Sequence, residues 1–248
     1  MPEAATAQHR APAAGAQPLL AVSGLEAWYG ESHVLHGIAF DVREGEVVTL
    51  LGRNGAGKTT TLKSIMGILP QRKGSVLFEG TEIIGLPARA IARRGISYCP
   101  EERGIFASLS VEENLMLPPK VREGGLTVEQ IYELFPNLLE RRASQGTKLS
   151  GGEQQMLAIG RILRTGAKLL LLDEPTEGLA PVIVQQIGHT ISRLKQEGFT
   201  IVLVEQNFRF AASVADRHYV VEQGKVIDQI LNDDLEANLE KLHAYLGV

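Results

Sequence analysis

Apolar residues recur along this chain in short runs whose spacing changes character several times. Residues 19–29, 34–42 and 46–51 are β-like segments, split by turns at Tyr29-Gly30 and Glu44-Gly45. Leu62, Ile65, Met66 and Leu69 then fall at helical spacing, so a helix is expected to follow Lys58. Residues 74–78 read as a strand closed by a Glu79-Gly80 turn, and the stretch from about 88 to 164 reads as mostly helical. Ser110 with Glu113, and Thr127 with Gln130, form capping boxes that open helices. In the second of these helices Ile131, Leu134, Phe135, Leu138 and Leu139 make one apolar face. Strand and helix then alternate: strand 168–172, helix 180–196, strand 200–205, helix 207–215, and a hairpin over 219–227 turning at Gln223-Gly224. Wholly apolar runs at 169–172 and 201–204, separated by helices, are what a parallel sheet covered on both faces requires.

Composition narrows the class. With 248 residues and 44% hydrophobic content the chain can bury a sizeable core. No apolar run approaches the roughly 20 residues needed to cross a bilayer. The net charge of −4 and the lack of any Lys/Arg block argue against nucleic acid as a partner. Residues 1–18 are rich in Ala, Pro and Gln, have no apolar core of a signal peptide, and read as a flexible tail preceding a single domain over 19–248. The single cysteine, Cys99, cannot pair within the chain, which suits the cytosol; beside Pro100 and Glu101 a redox role for it stays open. Six histidines are scattered without metal-ligand spacing, and His33, His36 and His218 read as surface or turn residues.

Three segments carry candidate chemistry. Gly52-Arg53-Asn54-Gly55-Ala56-Gly57-Lys58-Thr59 fits GxxxxGK[ST], directly after the apolar run 47–51 and before a helix. In that setting glycines let backbone N–H groups wrap a phosphate, Lys58 reaches the β- and γ-phosphates, and Thr59 offers its hydroxyl to Mg²⁺. At the end of the run 169–172 stand Asp173 and Glu174, placed to hold Mg²⁺ and to orient an attacking water respectively. In Leu149-Ser150-Gly151-Gly152-Glu153-Gln154-Gln155, Ser150 and Glu153 form a capping box, and the Gly151-Gly152 pair exposes N–H groups suited to an incoming phosphate.

Together with the sequence LLLLDEPTEGLAP over 169–181, these motifs resemble the ATP-binding subunit of an ATP-binding cassette (ABC) transporter, and the resemblance extends from Leu19 to the C-terminus. VEQN at 204–207, PEERGIF at 100–106 and EGLAP at 177–181 are most similar to the smaller ATPase of branched-chain amino-acid importers. The resemblance implies an α/β fold of the P-loop NTPase type: a RecA-like parallel core, an N-terminal antiparallel β subdomain, and a helical subdomain over about 88–164. It implies ATP and Mg²⁺ as cofactors. ATP would be held by Gly52 through Thr59 and Thr60, with Tyr29 stacking on adenine. Ser150, Gly151, Gly152 and Glu153 would contact ATP bound to a partner chain. Thr59, Asp173 and Glu101 would hold Mg²⁺, Glu101 standing where the family usually has glutamine. Catalysis would fall to Lys58, Glu174 and Gln206, the last replacing the usual histidine, whose imidazole can gain a proton near neutral pH as an amide cannot. Ala180 likewise replaces an aspartate, which would weaken communication between two sites.

The resemblance further implies a motor subunit peripheral to the cytoplasmic face of a bacterial inner membrane. Its partners would be a homologous ATPase (a heterodimer, or else a homodimer), two permease subunits and an extracytoplasmic substrate-binding protein. Leucine, isoleucine and valine are the expected cargo, with urea, amides or other amino acids as alternatives. A soluble cassette protein using ATP as a conformational switch fits less well, since such chains usually join two cassettes. A kinase or GTPase would leave LSGGEQQ without a purpose.

Overall fold

A computed structural model of the chain describes residues 17–246, so the expected tail over 1–18 lies almost wholly outside the described residues. Among them the strands form two sheets. β1 (Leu20–Tyr29) and β2 (Ser32–Val42) pair antiparallel, and β1 also pairs with β4 (Arg72–Phe78). A turn with both Glu79 and Gly80 at positive φ then returns the chain into the short β5 (Thr81–Glu82), giving the order β2-β1-β4-β5. Leu20, Val22, Leu25 and Ala27 of β1 are buried while Ser23 and Glu26 face out, as expected of a sheet with one wet face.

The second sheet contains β3 (Val47–Leu51), β6 (Ile96–Cys99), β7 (Leu169–Asp173), β8 (Thr200–Glu205), β9 (Arg217–Glu222) and β10 (Lys225–Leu231), in the order β10-β9-β3-β8-β7-β6. Every pairing in it is parallel except that of the edge strand β10. β3, β7 and β8 are buried at every residue, which is why they read as continuous apolar runs. Helices cover both faces. α1 (Lys58–Ile65) and α2 (Ala88–Arg93) lie with the antiparallel sheet on one side. On the other pack α3 (Val111–Met116), α4 (Val128–Leu134), α5 (Pro136–Glu140), α6 (Gly151–Leu163) and α7 (Pro181–Gln196). α8 (Phe208–Val214) and α9 (Leu239–Leu246) close the C-terminal end.

All three capping boxes form, at Ser110, Thr127 and Ser150. Four expectations need correction. The stretch expected to be mostly helical contains β6, which pairs with Leu169–Leu172 at the sheet edge. The helix expected to carry Ile131 through Leu139 is two short helices, broken where Phe135 leaves helical geometry before Pro136; Leu139 is left 45% exposed. α1 stops at Ile65 rather than running to Leu69. Gly67 sits at positive φ, and the Ile68 N–H bonds back to the Lys63 carbonyl to close the helix. His218 is neither a surface nor a turn residue: it is fully buried in β9, its Nδ1 2.6 Å from Thr49 Oγ1 and its Nε2 2.9 Å from Asn232 Oδ1. Burial holds its pKa below the usual histidine value. Cys99 is also buried, and burial pushes its thiol up to about 12, which argues against a redox role.

Candidate nucleotide-binding site

β3 delivers the chain to Gly52, where a side chain is sterically impossible: a Cβ would lie 2.3 Å from the Val221 carbonyl oxygen of β9. The loop then rises to Gly57, the N-cap of α1, which takes φ +106 and offers no capping side chain. The first N–H groups of α1 are thereby left for a ligand. They open onto a cavity of about 390 Å³ lined by Asn54 through Thr60, with Val34, Glu101, Glu174, Glu177 and Gln206 opposite.

Lys58, the first residue of α1, is buried against the loop. Its ammonium donates to the carbonyls of Gly52 at 2.8 Å and Arg53 at 3.2 Å, and Glu174 Oε1 lies 3.4 Å away. Cation and acid therefore share one site at the C-terminal edge of the parallel strands, where α/β sheets bind ligands. Glu174 adopts φ +45, a conformation unusual for a non-glycine residue, and its N–H donates to the Val204 carbonyl at 3.0 Å. Gln206 donates through Nε2 to Glu174 Oε2 at 2.5 Å. Glu174, expected to orient the attacking water, and Gln206, expected beside it in catalysis in place of a histidine, thus touch one another.

Thr59 donates its hydroxyl to Asp173 Oδ1 at 2.8 Å, and Tyr98 of β6 donates to Oδ2 at 2.7 Å. Burial raises the Asp173 carboxyl despite these two bonds. Burial, followed by the neighbouring Glu174 and Asp173 charges, raises that of Glu101. Among the described residues no group of three or more His, Cys, Asp or Glu side chains converges as a self-sufficient metal site. A hydroxyl, one carboxylate and a cavity-lining glutamate are instead the hard, partial oxygen set that suits Mg²⁺ arriving with a polyphosphate.

Ser150, Gly151, Gly152 and Glu153 do not line this cavity. Ser150 accepts from the Glu153 N–H while Glu153 accepts from the Ser150 N–H. The Gly152 backbone lies so close to Ile183 of α7 that a Cβ would meet its side chain at 2.9–3.1 Å. Tyr29, at the end of β1, is 47% exposed and also stands off the cavity lining.

Four participants were given no role by the sequence, although Thr176, Glu177 and Glu205 lie inside the quoted motifs. Tyr98 reaches Asp173 only because β6 pairs beside β7. Glu177 lines the cavity from the turn after β7. Thr176 donates its hydroxyl to Oε1 of the buried Glu205 at 2.7 Å, and burial pushes the Glu205 carboxyl up to about 7. The run of acids in 173–177 and the Glu205-Gln206 pair were the available hints, but partners across strands are invisible in a linear reading.

A model of the family described as "ABC transporter" matches residues 35–177. The chain is 44% identical over 232 residues to the "High-affinity branched-chain amino acid transport ATP-binding protein BraG" of Pseudomonas aeruginosa, covering 92% of this chain and 100% of that one. It is 38% identical over 234 residues to the "Lipopolysaccharide export system ATP-binding protein LptB" of Escherichia coli, covering 92% and 97% respectively. A solved structure described as an ATP-binding subunit of an ABC transporter superposes with TM-score 0.77 at 28% identity, over 93% of this chain and all of that one.

Proposed function

The chain belongs to the ABC transporter family as an ATP-hydrolysing, ATP-binding subunit, and from that premise we propose that it is the motor of an importer for branched-chain amino acids. The observation that carries the cargo assignment is the 44% identity to BraG along the whole of that relative, against 38% to LptB. The glutamine at 206 and the glutamate at 101, with PEERGIF and VEQN around them, point the same way.

The site residues divide the work as follows. Lys58 exchanges its Gly52 and Arg53 carbonyl partners for the β- and γ-phosphates, joined by the N–H groups at the start of α1. Thr59, Asp173 and Glu101 hold Mg²⁺, which when bound neutralises phosphate charge. Tyr29 stacks on adenine. Glu174 orients the attacking water and accepts its proton, and the Gln206 amide fixes one Glu174 oxygen so that the other faces the reaction. Because Ser150 to Gly152 do not line the chain's own cavity, they are free to close over ATP held by a second cassette. ATP then acts as the interface glue, and its hydrolysis releases the clamp.

Among the described residues no helix is long and apolar enough to cross a membrane. The chain acts from the cytoplasmic face of the inner membrane, paired with a homologous cassette on two permease subunits that an extracytoplasmic binding protein supplies. Uptake of labelled leucine beside labelled urea tests this in cells whose only copy is wild type, Lys58→Ala or Glu174→Gln. Leucine uptake alone is expected to disappear in both mutants; leucine uptake indifferent to both rejects the cargo.

A further inference from the structure

We propose that Glu205 is a positioning residue for hydrolysis, tying the turn that carries Glu174 and Glu177 to the loop that carries Gln206. The assignment rests on the proposed role of Glu174 as the residue that orients water. Glu205 ends β8 and is 2% exposed. Its Oε1 accepts the Thr176 hydroxyl at 2.7 Å and its Oε2 accepts the Asn207 N–H at 3.3 Å. Among the described residues no cation stands among its hydrogen-bond partners. A buried carboxylate without a counter-charge is costly, and stability alone would favour a neutral residue here.

Its place explains the charge. Two strand ends meet at this point, laced by the Glu174 N–H to the Val204 carbonyl and by the Gln206 amide to Glu174 Oε2. Both of those contacts hold Glu174 from its own two ends. Neither holds the rest of the turn, in which Glu177 N–H returns to the Glu174 carbonyl and Leu179 N–H to that of Thr176. The Thr176–Glu205 bond supplies that anchor, and Asn207, the N-cap of α8, is gripped by the same carboxylate. An ionised carboxylate accepts from both donors at once. A glutamine has one acceptor oxygen, so with the Asn207 N–H on that oxygen its NH₂ must donate to the Thr176 hydroxyl, which turns the shared bond round and lengthens it, whereas Thr176→Val removes the bond altogether. Glu205 thus fixes the mutual distance of Glu174 and Gln206 without touching the reacting atoms, and a displacement on the order of an ångström between them slows the reaction.

The test uses the purified full chain, with kcat and KM for ATP and Tm measured for wild type, Glu205→Gln, Thr176→Val, Thr176→Ser, the Glu205→Gln/Thr176→Val double variant and Glu174→Gln. Thr176→Val is expected to lower kcat on the order of tenfold with KM little changed, and Glu205→Gln, which keeps the link in reversed form, by less. The double variant is expected to be no slower than the slower single one, because both changes act on the same link. Thr176→Ser, which keeps the hydroxyl, is expected to recover most of the turnover, and Glu205→Gln to melt no lower than wild type. Unchanged kcat in Thr176→Val, losses that multiply in the double, or a kcat loss matched by a fall in Tm would overturn the assignment. Turnover indifferent to Glu174→Gln would instead overturn the proposed catalytic reading, and with it this one. Turnover abolished by Glu174→Gln but indifferent to Thr176→Val removes Glu205 alone.

Discussion

Single residues here are tuned by what surrounds them, and two of them make predictions. Glu205 is held at about 7 by burial, well above an ordinary glutamate. Between the ordinary glutamate value and about 7 the native state therefore keeps a proton that the unfolded chain gives up, and above about 7 it holds the carboxylate that accepts from Thr176 and Asn207. Glu205 supports the fold fully below the unfolded pKa, and that support drains away as pH rises from about 4.5 to about 7. The melting temperature of Glu205→Gln relative to wild type is expected to climb between pH 5 and pH 8, by roughly 3 °C or more; a pH-independent difference would show that the carboxyl titrates normally. Gln206 hands its amide to Glu174 and cannot gain a proton near neutral pH. Gln206→His is expected to raise turnover at this site by roughly threefold or more, and a steady-state ATPase rate that is unchanged or lower sinks that idea.

At the scale of elements, three helices begin with the same reciprocal cap, yet only one of those starts is proposed to meet a phosphate. Ser110→Ala and Ser150→Ala each remove a side-chain acceptor from a helix N-terminus, and each is expected to cost about 1 kcal/mol of stability. Denaturant midpoints should shift alike in the two variants, whereas ATPase activity should fall only in Ser150→Ala. Equal activity loss would mean that the signature serine acts only as a cap. Caps were legible because a capping box is written in residues three apart. The break at Phe135 was legible in principle from Pro136, and α9 from Leu239, Leu242 and Leu246 on one face. β6 was not legible: Ile96-Ser97-Tyr98-Cys99 is too short and mixed to declare a strand, and its stability comes from pairing with β7, more than seventy residues away.

For the whole molecule, the two sheets are joined through Arg217. Its guanidinium, on β9, donates at 2.9 Å to both oxygens of the buried Glu46 and at 3.0–3.3 Å to Asp41 at the end of β2. Against the cost of burial, those bonds hold its pKa above the usual arginine value. Arg217→Met leaves Glu46 buried and unpaired, which is expected to cost about 3–5 kcal/mol and to lower Tm on the order of 10 °C. Glu46→Gln/Arg217→Met, with no stranded charge, should recover part of the loss in a thermal melt.

Much of this architecture was present in the chain itself. The glycines, the Lys58-Thr59 and Asp173-Glu174 pairs, the caps and the apolar runs each signal through local covalent spacing, because phosphate loops, helix starts and buried strands depend on neighbours a few residues apart. Tertiary structure alone decided which partners those residues take. Tyr98 on Asp173, Thr176 on Glu205, Gln206 on Glu174 and His218 between Thr49 and Asn232 are contacts between separate stretches of chain. Strand order and register create them, and burial then gives each polar pair its strength.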